Sequence, residues 1–330
     1  MKRRKVKHYS GIGGQAVLEG VMMKNKDMYA VAVRKPNGEI AVEIDEYHGL
    51  AYGSKLLSIP FVRGIFVFID SLILGLKSLN FSSSFYEEAP EKPSKLDEEL
   101  DVVSGGHEDT FLMVVTTIIS FLFAIGLFMV LPYALSEVLG KYIRNESVIA
   151  IIEGVLRIVI FILYILLISC MKDIRRLFQY HGAEHKCINC IEKGRPLTVK
   201  NVKKSSRLHK RCGSSFILFV MVISIILFFF IRVDSYALRV LIRILLIPVI
   251  SGISYEIIRL AGRTEFFLVR LISAPGLWLQ KLTTKEPDDD MIEVAIRSVE
   301  AVFDWKEFLK DSFGYEIDDS WLKDDEETDE

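Results

Sequence analysis

The sequence predicts a mainly α-helical, polytopic membrane protein with four spanning helices, one re-entrant or interfacial helix and a small cytosolic N-terminal element containing a β-hairpin. Three observations carry this. The chain is 51% hydrophobic with mean hydropathy +0.31, too apolar for an ordinary soluble protein. Its apolar residues are gathered into runs long enough to cross ~30 Å of hydrocarbon. Its charges are segregated, so a net −2 hides a strongly basic loop and an acidic tail. A cleavable leader is not expected, because MKRRKVKHYS is followed by GIGGQAVLEG and not by an apolar stretch. There is no internal repeat and no P-loop.

Residues 1–58 read as the cytosolic N-terminal element. A basic arm opens it, and the glycines of GIGGQAVLEG suggest a tight loop. Residues 29–34 and 39–45 then alternate around the turn Lys35-Pro-Asn-Gly38, which is a hairpin pattern. Residues 59–80 are apolar yet carry Arg63 and Asp70 on one helical face, so these two must pair or face protein. Residues 81–109 read as a flexible acidic linker. Four runs, 111–133, 148–171, 216–233 and 236–258, are the span candidates, grouped as 110–171 and 214–260.

Between these groups, residues 172–213 hold twelve Lys/Arg against three Asp/Glu. The positive-inside rule puts this loop in the cytosol. The turns at 134–147 and 232–235 then face outward and both termini face inward. A crossing at 59–80 would place the basic N-terminus outside, so that segment is read as re-entrant or interfacial. Residues 261–312 read as amphipathic cytosolic segments, the first broken at Pro275-Gly276. In the second, Ile292, Ala295, Ile296, Val299 and Phe303 recur at helical spacing behind an Asp288–Asp290 cap. Residues 313–330 form an acidic tail.

Glu153 and Arg157, and Arg239 and Arg243, are i,i+4 pairs inside the spans. Glu153 is expected to pair with Arg157 or Arg243, either as a structural network or as part of a pathway. Glu256 lies near the cytosolic end of the last span, within reach of the basic loop.

The chemistry is concentrated in that loop. His181-Gly-Ala-Glu184-His185 puts two imidazoles one helical turn apart, able to grip one ion. Glu184 beside them is placed as general base toward a water that the ion activates. This is the H-x-x-E-H zinc-protease string. A third ligand is needed, with His209, Cys212 and Glu256 as candidates. A rival grouping, Cys187-x-x-Cys190 with His209-x-x-Cys212, has the spacing of a closed zinc ribbon. Thiolate and imidazole favour zinc over magnesium. The surrounding Lys and Arg suit anionic lipid headgroups, and the loop lacks the aromatic interleaving of a nucleic-acid platform.

The stretches GGQAVLEGVMMK, YHGAEHK, LTVKNVKKSSRLHKRCGSSF, IPVISGISYEIIRLAG and PGLWLQKLTTKEPDDDMIEVAI together resemble the YqhQ family of uncharacterised multi-pass bacterial membrane proteins. These are described as predicted metal-dependent enzymes. The resemblance implies inner-membrane placement and draws attention to His181, Glu184, His185, His209 and Cys212, with Gln15, Glu19 and Glu256 behind them. Cys187 and Cys190 fall outside the family pattern. Two functions follow as expectations. One is a metal-dependent hydrolase at the cytosolic leaflet. The other is a non-catalytic scaffold for protein insertion or translocation, with lipids, other membrane proteins or further copies of the chain as partners.

Overall fold

The computed structural model describes residues 8–86, 108–143, 145–209, 211–231, 233, 235–263 and 267–314. Residues 1–7 of the basic arm, nearly all of the acidic linker and the tail from residue 315 lie outside them. Four strands, β1 (Gly13–Val17), β2 (Gly20–Asn25), β3 (Met28–Arg34) and β4 (Ile40–Glu46), precede twelve helices among the described residues. These are α1 (Val62–Ser83), α2 (Glu108–Ile125), α3 (Leu131–Gly140), α4 (Glu146–Ile168), α5 (Lys172–Ile191) and α6 (Val199–Lys203). There follow α7 (Gly213–Phe229), α8 (Tyr236–Leu245), α9 (Ile247–Arg263), α10 (Phe267–Thr283), α11 (Asp289–Val302) and α12 (Trp305–Phe313). The protein is thus mainly helical with one small sheet. Two compact units result: residues Met1–Tyr86, Leu166–Val220 and Ile247–Glu330 form one, Glu87–Ile165 and Met221–Leu246 the other.

In the first unit the strands form an antiparallel meander in the order β1-β2-β3-β4. The expected hairpin is β3–β4, with Arg34 opposite Ile40. The glycine stretch before it, expected as a loop, is instead β1–β2, with Val17 opposite Gly20 around a tight turn. The glycines are what disguised it, since Gly is depleted in strands. Here they are required: a Cβ on Gly14 would meet Met22 O, and one on Gly20 would meet Ala32 O.

The sheet is covered on both faces, which is why β3 is buried along its length. Val21, Met23 and Ala32 join a core with Tyr180, Ile188, Ile191, Ile292 and Val299 from α5 and α11. Met22, Val31 and Val33 point the other way, onto Leu74 and Ile73 of α1. Helix α1 therefore rests its second half on the sheet, a support not foreseen for an interfacial segment. Arg63 and Asp70 do not pair with each other. Arg63 forms a two-point ion pair with Glu256 of α9 at 2.6 and 2.5 Å. Asp70 accepts from Tyr47 Oη and from the Leu50 N–H, at 3.1 and 2.9 Å.

The C-terminal segments also depart from expectation. Pro275 does not break α10, which runs through it. Gly276 lies so close to Ser215 that a Cβ would sit 2.8 Å from Ser215 Oγ, so packing holds the helix where local propensity opposes it. The stretch from residue 289 is two helices, because Asp304 leaves the helical conformation and its side chain caps Glu307 N. Asp288 holds the N-cap position of α11 by backbone conformation alone, without a side-chain cap bond.

In the second unit, α2 passes through a π-helical turn at Gly126–Val130 into α3. Three helical stretches are long and apolar enough to cross a membrane: Val114–Gly140, Ser147–Ile168 and Ala237–Leu260. The fourth candidate is shorter, an apolar helix at Ser215–Phe229. Glu153 pairs with both expected partners. Its Oε1 is 2.7 Å from Arg157 Nη2 and 2.7 Å from Arg243 Nη1. Arg239 instead reaches Glu137 at 3.1 Å and Tyr133 Oη at 2.9 Å.

Candidate metal centre

Helix α5 starts afresh after a break at Met171, whose backbone is extended (φ −70°, ψ 135°). From Tyr180 onward it is almost wholly buried in spite of its polar sequence. This burial orders the site. Lys186 reaches Lys203 O and Glu286, each at 2.8 Å. Asn189 Nδ2 donates to Ser206 O at 2.8 Å and Leu208 O at 3.1 Å, drawing the connection after α6 across the helix. Gln280, fully buried on α10, staples the same connection. Its Oε1 accepts from His209 N at 2.9 Å, while its Nε2 donates to His209 O at 2.7 Å and to Ser215 Oγ at 2.9 Å.

These braces bring together His181, His185 and Cys212, whose ligand atoms all lie within 4.8 Å of one another. The described residues contain one such group of metal-type side chains. His181 Nδ1 is 2.9 Å from Thr283 O, and His185 Nδ1 is 2.6 Å from Arg207 O. A carbonyl only accepts, so both protons sit on Nδ1 in the neutral rings and both Nε2 lone pairs are available on one side. That is the arrangement of metal-ligating histidines. His181 Nε2 is 3.1 Å from Cys212 Sγ. Tetrahedral zinc bonds of about 2.0–2.3 Å place ligand atoms roughly 3.3–3.7 Å apart, so the set needs only small adjustment.

Glu184 closes the fourth side. One carboxylate oxygen is 3.5 Å from His185 Nε2 and 4.0 Å from His181 Nε2. The main chain of Gly14 hydrogen-bonds it from β1. A Cβ on Gly14 would lie 3.1 Å from Glu184 Cγ, so the glycine strand makes room for the acid. Burial raises the pKa of Glu184, with His185 and His181 opposing. Burial also opposes charge on His181 and on Cys212. Their mutual attraction overrides it, lifting His181 to about 9 and dropping the Cys212 thiol well below its usual value. The metal-free cluster therefore favours a Cys212 thiolate facing a protonated His181 Nε2, and binding of an ion there would release that proton.

The remaining expected residues go elsewhere. His209 stacks beside His185 with ring centroids 5.6 Å apart, but its Nε2 faces Glu192 at 3.7 Å. Burial pushes its pKa down to about 4. Cys187 and Cys190 lie in the core between α5, α6 and α11, and burial raises both thiols, Cys190 to about 12. The ribbon grouping is thus not brought together among the described residues: the metal-type cluster includes neither thiol, and their apolar surroundings favour the protonated form. Gln15 packs on Gly75 of α1. Glu19 pairs with Arg176 and accepts from Tyr180 Oη at 3.2 Å. Glu256 is held by Arg63, not by the loop. Several loop cations serve as internal braces, including Lys203 to Asp289 at 2.9 Å and Arg207 to Thr284 O at 2.6 Å. Gln280, Asn189 and Glu192 were not expected at the site. Only their placement near the loop in the fold, not any spacing in the sequence, identifies them.

The fold and site define a mainly helical protein with membrane-length apolar helices and a buried His/His/Cys cluster behind a four-stranded sheet. The chain belongs to the family described as "Protein of unknown function (DUF1385)", whose model matches residues 59–305. It is 40% identical over 288 residues to "Uncharacterized protein YqhQ" of Bacillus subtilis (strain 168), covering 87% of this chain and 90% of that protein. No solved structure matches.

Proposed function

We propose that this is an integral protein of the bacterial inner membrane whose cytosolic body binds one divalent ion, zinc, and acts as a hydrolase at the cytosolic leaflet. His181, His185 and Cys212 would hold the ion. The observation that carries the reading is the pairing of both Nδ1 atoms with main-chain carbonyls, which leaves two Nε2 atoms beside a thiolate-forming cysteine. The ion, when bound, supplies a Lewis acid and lowers the pKa of water. The chain supplies the rest. Thr283 O and Arg207 O orient the rings. Glu184, its pKa raised by burial, is poised to take up a proton and return it to a leaving group. Burial of His185 and Cys212 at 1% and 5% exposure excludes bulk water.

The same burial favours a second reading, a non-catalytic scaffold for protein insertion or translocation. There the ion would clamp α5, the 204–212 connection and the end of α10 together. Metal analysis of the purified full-length protein tests the shared premise. The wild type is expected to carry one equivalent of zinc, and His185→Ala or Cys212→Ser to lose it. Full retention by both variants overturns the assignment. Cobalt substitution separates the two readings. A hydroxamate that shifts the visible spectrum reports an open coordination position and supports the hydrolase. An unchanged spectrum supports the clamp, with Glu184 as fourth ligand.

A further inference from the structure

The second unit contains a cavity of about 190 Å³ that the metal centre does not use. Its lining includes Arg239, Arg243, Glu137 and Glu153 together with the apolar Phe229 and Ile231. The charges do not balance. Arg157 and Arg243 both bind the single carboxylate of Glu153, at 2.7 Å each, while Arg239 has Glu137 at 3.1 Å. Among the described residues, the ion-pair network that includes this lining thus sets three guanidiniums, Arg157 lying behind the wall, against two carboxylates.

Inside an apolar helix bundle an uncompensated cation is costly, and an intramembrane ionisable residue is a candidate for function. Aromatic faces relieve part of the cost. Arg243 lies 4.8 Å from the Tyr133 ring and 4.9 Å from the Phe228 ring. Rings add no net charge, however. A second observation points the same way: Arg243 is 4% exposed, and its Nε–H is buried with no hydrogen-bond partner among the described residues.

We propose that this cavity binds a phosphate-bearing anion, with Arg243 and Arg239 as its cationic wall. The apolar wall suits the chain of an anionic lipid, and inorganic phosphate offers the same headgroup chemistry. The inference is independent of the hydrolase reading, because no group in this cavity belongs to the metal centre.

The test uses full-length protein in detergent and a fluorescent short-chain phosphatidylglycerol read by anisotropy. Competitors are unlabelled dioctanoyl phosphatidylglycerol, dioctanoyl phosphatidylcholine and inorganic phosphate. Phosphatidylglycerol should compete and phosphatidylcholine should not. Arg243→Gln should weaken binding about tenfold or more, as loss of a charge-assisted contact does. Because Arg243 also braces Glu153 in the bundle, Glu137→Gln provides the decisive sign. It raises the positive excess and frees Arg239, so binding should tighten, whereas damage to a merely structural ion pair would weaken it. Displacement by inorganic phosphate identifies the free anion as a ligand, and its failure assigns the site to the lipid headgroup. No binding, equal competition by phosphatidylcholine, or weaker binding by Glu137→Gln overturns the proposal.

Discussion

Each imidazole of the centre has its tautomer set by a main-chain carbonyl, so the fold decides which nitrogen is offered before any ion arrives. The carbonyls come from Arg207 and Thr283, and the segment carrying Thr283 runs close against α5. Lys285 N donates to Phe178 O at 2.8 Å. At Gly182, between the two histidines and on the same helix, a Cβ would collide with Lys285 O. Gly182→Ala must therefore push residues 283–287 off the helix. Backbone displacement of this kind costs about 1–3 kcal/mol, and Thr283 O would leave His181. The expected outcome is a lower melting temperature together with weaker zinc retention against a chelator. An alanine variant with wild-type melting and retention would show that this contact does not position His181. The H-x-x-E-H string was legible because helical spacing alone puts its members on one face. Cys212 was legible as a candidate beside His209, yet only the fold separates the two. Gln280 decides it by fixing both main-chain polar groups of His209. A glutamine seventy-one residues away leaves no local trace.

At the scale of elements, the β3–β4 hairpin was readable from alternation and a turn, whereas β1–β2 was hidden by glycines that serve close packing. Helix α11 was readable as a helix but not in its role. Ile292, Ala295 and Val299 repeat as on an amphipathic surface helix, yet all three are fully buried against the sheet and α5. The buried set also includes Met291, Val294 and Ser298, and Ser298 donates to Ala30 O at 3.2 Å. Periodicity reveals a buried stripe but not how widely neighbouring elements cover it. Ile292→Ala distinguishes the two roles. As a core position it should lose about 2–5 kcal/mol in chemical denaturation of the first unit. As a lipid-facing position it would cost far less and chiefly weaken liposome association. A loss below 1 kcal/mol would remove α11 from the core.

For the whole molecule, the packing of the first unit constrains how often the chain crosses a bilayer. Thr283 O holds His181, and α11 packs on α5. Residues 172–191 and 283–302 therefore lie on one side of any bilayer, and the chain between them would cross it an even number of times. We propose that Ala237–Leu260, which is long and apolar enough, is one crossing, and that the apolar helix Ser215–Phe229 supplies the other. Its fifteen residues span only about 22 Å at 1.5 Å per residue, which calls for local thinning of the bilayer. The same parity applies upstream, where the sheet also packs on α5. If Val114–Gly140 and Ser147–Ile168 both cross, as their length and composition allow, α1 stays on the near side. The proposal that this side is the cytosol rests on positive-inside charge. Single cysteines introduced into a Cys170→Ser background test this in intact cells with a membrane-impermeant maleimide. Tyr142→Cys, at a site 85% exposed, and Val233→Cys should both be labelled from outside. Ser58→Cys and a C-terminal cysteine should react only after permeabilisation. Labelling of the C-terminal cysteine in intact cells would require an odd crossing, and the body that holds His181 against Thr283 could not then exist in the membrane-inserted protein.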